Sequence, residues 1–159
     1  MRGSGFDARA MRVAGRMRRP WLNAVVVPYT TAGNNGVLWV LLGLALADPL
    51  RVAATTWGTL LVNTGIKRVV RRRRPLAEEL KSLVNLPVTT SFPSSHAAMS
   101  AAAAFPLSHA HPEETLLWFG LAALMGASRV YVGAHHASDV IAGFCLGAAL
   151  GAASVAVGT

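Results

Sequence analysis

Residues 116–157 read LLWFGLAALMGASRVYVGAHHASDVIAGFCLGAALGAASVAV. Two apolar segments, Leu116 to about Arg129 and His135 to about Val157, flank a short turn. Arg129 and Asp139 are the only Asp, Glu, Lys or Arg residues in the stretch. Such segments predict helices that cross a bilayer, where the backbone must satisfy its own hydrogen bonds. An aspartate inside an apolar helix is expensive to keep, so its default reading is functional. Gly143, Gly147 and Gly151 recur at four-residue spacing. In a membrane a stripe of small residues lets a second helix approach closely. That partner is expected within the same chain, with a homo-oligomer contact as the alternative.

Working outward, residues 94–108 form an alanine-rich third span that begins at Ser94, and His109 to Glu114 form a polar turn. The second span runs from about Val52 to Val70, where Arg71 to Arg74 halt it. The first, Val37 to Ala47, is extended through Gly33 to Gly36 and stopped by Asp48-Pro49. It is short against the roughly 20 residues a hydrocarbon core needs. Residues 75–93 form a loop holding Glu78, Glu79, Lys81, Pro87 and Pro93. Residues 8–20 set Met11, Val13, Ala14 and Met17 among five arginines, which predicts a basic amphipathic helix on the membrane surface, ended near Pro20. A disordered basic tail is the competing reading. Trp21 and Tyr29 suit the headgroup region on either side of a short apolar link. The expected fold is therefore all-α: an integral membrane bundle of about five transmembrane helices (33–159) behind an N-terminal amphipathic interfacial arm (1–32).

Composition supports this reading. Apolar residues make up 53% of the 159, mean hydropathy is +0.43, and the formal net charge is nevertheless +8. The charges sit in blocks separated by uncharged stretches. No solvated helix face interleaves arginine with aromatics, which argues against a nucleic-acid partner. The single cysteine, Cys145, lies in an apolar run and allows no disulfide framework within one chain. The basic segment Arg2 to Arg19 is too long for a cleavable signal, and no cleavage motif follows the next apolar stretch.

With five spans, the N-terminal arm, the 71–93 loop and the 129–135 turn share one side. Fourteen of the 15 Lys and Arg residues lie there, and only Arg51 lies opposite. The positive-inside rule places that side in the cytoplasm.

The strongly polar residues near the membrane boundary gather on the same side. Lys67 and Arg74 are seven apart, so on a helix they point within about 20° of each other, with Arg71 on the same stripe. Arg68, Arg72 and Arg73 suit a stop-transfer cluster that binds headgroups. Pro93-Ser94-Ser95-His96 opens a helix after a loop, and free N–H groups behind an N-cap serine make an anion site. His135 and Asp139 are one turn apart, so on a helix the carboxylate can fix the imidazole tautomer and leave the other nitrogen free to attack. His136 then points about 100° away.

Together these segments resemble the signature of the type 2 phosphatidic acid phosphatase superfamily: K-x6-RP, then PSGH, then SR-x5-H-x3-D. Here they read Lys67-x6-Arg74-Pro75, Pro93-Ser94-Ser95-His96 and Ser128-Arg129-x5-His135-x3-Asp139. Ser95 replaces the glycine and still supplies a backbone N–H. The resemblance implies a metal-independent phosphatase with no cofactor, acting on a lipid-linked phosphate in the bilayer. It implies that His135 forms a phosphohistidine, Asp139 orients it, and His96 serves as acid and then base. Lys67, Arg74, Arg129, Ser94 and the Ser95 amide would hold the phosphate. Arg71 is a candidate second anion contact.

Three function classes compete: a lipid phosphatase, a vanadium-dependent haloperoxidase of the same pocket type, and a non-catalytic protein that binds anionic lipid. The apolar spans argue against the second class, and His96, His135 and Asp139 together argue against the third. Among lipid substrates, a cytoplasmic site suits decaprenylphosphoryl ribose 5-phosphate in cell-wall arabinan precursor synthesis, by similarity to small actinobacterial members. Phosphatidylglycerol phosphate and undecaprenyl diphosphate are the alternatives. His109, His111, Glu113 and Glu114 lie on the opposite side and are expected to form a solvated turn rather than a metal site.

Overall fold

The computed structural model describes residues 4–75, 80–86 and 89–157. Glu78, Glu79 and Pro87 of the expected loop lie outside them. Among the described residues the chain is helical and has no strand. The helices are α1 (Gly5–Met17), α2 (Pro20–Ala32), α3 (Val37–Leu46), α4 (Pro49–Val70), α5 (Ser95–Ala110), α6 (Thr115–Tyr131) and α7 (Ala137–Ala156).

Local chemistry sets most of the boundaries. Ser4 caps α1 by accepting from the Asp7 amide at 3.2 Å, and Asp7 returns the bond to the Ser4 amide at 3.0 Å. This reciprocal pair satisfies two amides that helix geometry leaves open. Arg19 before Pro20 is extended, and Pro20 then opens α2 at its first position. The apolar link expected after Pro20 is therefore a helix of 13 residues, because proline ends one helix and starts the next. Asp48 Oδ1 caps α4 by accepting from the amides of Leu50 and Arg51 at 3.0 and 3.1 Å, and Pro49 takes the first position. Helix α5 runs past the expected end at Ser108, so His109 lies on it and only Pro112–Glu114 forms a 3-10 turn.

Helix α5 is the hub. Ala97, Ala98 and Ala101–Ala104 are fully buried, and α3, α4, α6 and α7 pack around them. The glycine stripe of α7 faces this helix: a Cβ on Gly151 would lie 2.7 Å from the Ala102 carbonyl oxygen, and one on Gly147 would overlap that of Ala98. The stripe is thus used within the chain. Ala103 and Ala104 share one apolar cluster with Trp39, Val52, Leu107, Trp118 and Met125.

The bundle buries several polar side chains and turns many apolar ones outward. Thr30, Thr56, Thr59 and Asn63 are buried, whereas Leu41, Leu44, Leu50, Leu61, Val69, Leu116 and Leu124 are exposed. Water does not favour that distribution, and a lipid surround does. By length and composition together one described helix, Ala137–Ala156, can cross a membrane, and the apolar Asn34–Leu46 segment is shorter. At 22 residues α4 is also long enough, at about 33 Å, but it carries Thr, Asn and Lys toward the interior. The arm packs against this bundle, with Met11 and Ala14 buried and Arg18 donating to the carbonyls of Tyr131 and Lys81.

Candidate active site

The turn between α6 and α7 builds the floor. Helix α6 ends at Tyr131, and Gly133 adopts φ 78°, where a Cβ would also lie 2.8 Å from the Leu80 carbonyl oxygen. Glycine meets both demands. The amides of Ala134 and His135 return to the Arg129 carbonyl at 2.9 and 3.2 Å. Helix α7 begins at Ala137 with His136 as N-cap, and Asp139 accepts from the His136 amide at 2.9 Å.

His135 therefore precedes the helix on which it was expected. The shared helical face does not form, because Asp139 is occupied in capping α7. His135 Nδ1 lies 3.8 Å from Asp139 Oδ2, beyond a hydrogen bond. Ser91 fills the gap: its hydroxyl donates a short bond to Asp139 and lies 3.4 Å from His135 Nδ1. On the other side of the ring, Arg74 Nη1 is 3.1 Å from His135 Nε2. A guanidinium only donates, so Nε2 must present its lone pair and Nδ1 the proton. Burial pushes His135 down to about 3, opposed by the nearby Asp139 carboxylate and reinforced by Arg74, Arg129 and Lys67. The ring is neutral at physiological pH.

The three cationic phosphate-binding candidates converge, though not as one helical stripe. Helix α4 stops at Val70 and Arg71 turns to φ 49°, so Arg74 reaches the site from an extended segment. Arg74 is held by the Thr89 and Ala134 carbonyls at 3.1 and 2.8 Å. Lys67 stays on α4, buried, and donates to the Thr90 carbonyl at 2.9 Å. Arg129 is buried on α6 and donates to the Thr30 hydroxyl at 2.6 Å.

The start of α5 closes the site. Ser94 is its N-cap, but its side chain makes no capping bond, and its buried hydroxyl has no partner among the described residues. The Ser94 amide donates to the Asp139 carbonyl at 2.9 Å. The amides of Ser95 and His96 open the helix and have no partner within it by geometry. Asn63 donates to the Ser95 hydroxyl at 2.7 Å, and His96 Nε2 is 3.0 Å from Asn34 Oδ1.

A cleft of about 1260 Å³ joins these groups, lined by Lys67, Arg71, Arg74, Ser95, His96, Arg129 and His135. Ser94 and Asp139 lie behind its wall. Part of the lining is apolar, with Val27 of α2, Leu60 of α4 and Met99 of α5. Five cationic side chains, Arg68 among them, around the imidazoles of His96 and His135 make a site for a multiply charged anion.

Sequence reasoning missed the groups behind the wall. Arg72, read as part of a headgroup cluster, instead pairs with Asp139 at 2.7 Å and with Asp7 at 2.8 Å, with its side chain only 11% exposed. Asp7 is fully buried and also accepts from the Ser138 amide at 2.9 Å. Burial alone would raise its carboxyl, but bonds from Ser138, Ser4 and Arg72 hold it well below the usual carboxylate range. Arg72 sits in a run of four arginines, which has no periodicity to single it out. Asp7 left one signal, a lone acid three residues after a serine in a basic segment. At the opposite end, the ligand atoms of His111, Glu113 and Glu114 fall within 4.8 Å of one another, on partly or fully exposed residues, and His111 Nε2 already contacts the Leu46 carbonyl.

The same fold occurs in solved structures. A transmembrane PAP2-type phosphatidylglycerolphosphate phosphatase from Bacillus subtilis superposes with a TM-score of 0.77 at 28% identity, over 96% of this chain and 84% of that one. Aquifex aeolicus LpxE superposes with a TM-score of 0.76 over 93% of both chains, and at 24% identity it speaks to the fold alone. No curated protein sequence matches the chain. The family model described as PAP2 superfamily matches residues 36–158, which hold every lysine, arginine and histidine lining the cleft. The match over most of the length, on a backbone shared with a PAP2-type membrane phosphatase, makes this chain a member of the PAP2 superfamily.

Proposed function

We propose that this protein is a metal-independent lipid phosphate phosphatase that works through a phosphohistidine at His135. The observation that carries the reading is the 3.1 Å approach of Arg74 to His135 Nε2 in a cleft that also holds Lys67 and Arg129. It aims the reactive lone pair at the place where cations would hold a phosphoryl group. His135 Nε2 attacks phosphorus, the bond to the lipid oxygen breaks, and His96 gives that oxygen its proton. Water then attacks the phosphohistidine, His96 takes the water's proton, and the P–N bond breaks to release inorganic phosphate. Lys67, Arg74, Arg129 and the Ser95 amide meet the charge on the equatorial oxygens, and the Ser94 hydroxyl lies behind them. Asp139 supports the Nδ1 proton through Ser91.

The apolar outer surface supports a multi-pass protein of about five spans with α1 as an interfacial arm. The charge bias supports a cytoplasmic site. The apolar wall formed by Val27, Leu60 and Met99 suits a lipid chain entering between α2 and α4. The preferred substrate is decaprenylphosphoryl ribose 5-phosphate, and Arg71 at the cleft lining would meet its phosphodiester. Phosphatidylglycerol phosphate is the second reading, favoured by the similarity to the Bacillus subtilis phosphatidylglycerolphosphate phosphatase.

Phosphate release in detergent with EDTA, from both lipids side by side, tests this. Faster turnover of the ribose lipid, with a Michaelis constant raised by Arg71→Ala, supports the first reading. Faster turnover of the glycerol lipid supports the second. Release of phosphate from neither lipid, with both still bound, supports a non-catalytic lipid-binding protein.

A further inference from the structure

We infer that Asp7, on the N-terminal arm, is a positioning residue for the phosphatase site and acts through Arg72 on Asp139. Asp7 lies outside residues 36–158, which the family model matches. The inference rests on the functional reading above and extends the machinery into the arm.

The geometry is a buried chain of charges. Arg72 Nη2 donates to Asp7 at 2.8 Å, and Nη1 donates to Asp139 at 2.7 Å and to the Ser138 hydroxyl at 2.7 Å. Ser138 returns to Asp7 with its amide and its hydroxyl, both at 2.9 Å. One guanidinium is therefore shared by two carboxylates, both fully buried. The three groups carry one net negative charge behind His135. Asp139 alone against Arg72 would form a neutral pair, with its charge spent on the guanidinium. Asp7 takes half of that interaction and leaves Asp139 charge to support the Nδ1 proton as positive charge develops on the ring. It also pins the first turn of α7, which carries Asp139, to the arm.

Asp7 touches neither substrate nor reacting atoms, so its removal should lower turnover and spare binding. Asp7→Asn keeps an acceptor for the Ser138 amide and deletes the charge. Phosphatidylglycerol phosphate in detergent, with EDTA, is the probe, and His135→Ala is the control. The expected result is kcat down by about tenfold with the Michaelis constant within about twofold. Asp7→Glu, which keeps the charge, should recover most of the loss. Ser4→Ala loosens the same helix start but leaves both charges, so it should lower the melting temperature and keep kcat. In an Arg72→Gln background Asp7→Asn should cost far less, because no shared charge remains. If Asp7→Asn does not fold, Arg72→Lys carries the test: a single ammonium cannot bridge both carboxylates as the fork does, so kcat should fall at constant Michaelis constant.

Wild-type kcat in Asp7→Asn, or in Arg72→Lys where that variant replaces it, overturns the inference while a dead His135→Ala leaves the functional reading standing. If His135→Ala turns over like the wild type, the functional reading falls and this inference falls with it.

Discussion

Helix α7 passes so close to the start of α5 that a Cβ on Gly143 would lie 2.5 Å from the Ser94 carbonyl oxygen and 3.2 Å from the Ser94 nitrogen. The small-residue stripe thus places the floor of the site against its cradle. The Ser94 amide can reach the Asp139 carbonyl only at this separation.

Gly143→Ala should accordingly damage both stability and catalysis. Backbone atoms cannot give way as a flexible side chain can, so overpacking of about 1–3 kcal/mol is expected. Thermal unfolding in detergent and phosphate release check the two effects. Gly58→Ala, where a Cβ would meet nothing within 4 Å, serves as the neutral comparison.

Ser91 should matter to turnover and little to binding. Its hydroxyl is the described link between Asp139 and the Nδ1 side of His135. Ser91→Ala leaves an imidazole proton facing a gap 3.8 Å from the carboxylate. A fall in kcat of roughly three- to tenfold, with the Michaelis constant unchanged, is the expected steady-state result.

The buried, neutral state of His135 makes a linkage prediction. Its pKa is about 3 in the folded chain against an ordinary 6.5, so between these values the unfolded chain binds the proton and the folded chain does not. Its contribution to stability is full above about pH 6.5 and is lost as pH falls toward 3. The melting temperature of the wild type should therefore drop more between about pH 7 and pH 4.5 than that of His135→Asn. Equal slopes in the two proteins would rule out a neutral buried imidazole.

The helical character of the chain and the three motifs were legible because each depends on local composition or spacing. Asp48-Pro49 and the arginines after Val70 mark helix boundaries within a few residues. What stayed hidden depends on long-range contact. Asp7 and Arg72 are 65 positions apart and meet only when the arm folds onto the bundle. The pairing of His135 with Asp139 was expected from helical periodicity, but His136 caps α7 and moves His135 off the helix. Ser91 then takes up the contact, and no spacing rule points to it. Helix α2 escaped notice because prolines at 20 and 28 resemble breakers, although the first sits where a helix tolerates it.

The central claim is the nucleophile. Brief incubation with a ³²P-labelled lipid phosphate, rapid quenching in alkali and peptide mapping measure it most directly. A phosphohistidine intermediate predicts a protein-bound label that survives alkali, is lost in acid, maps to His135 and is missing from His135→Ala, with turnover lower by about 10³-fold or more. A label of the same size in His135→Ala, or one lost in alkali as an acyl phosphate would be, contradicts it.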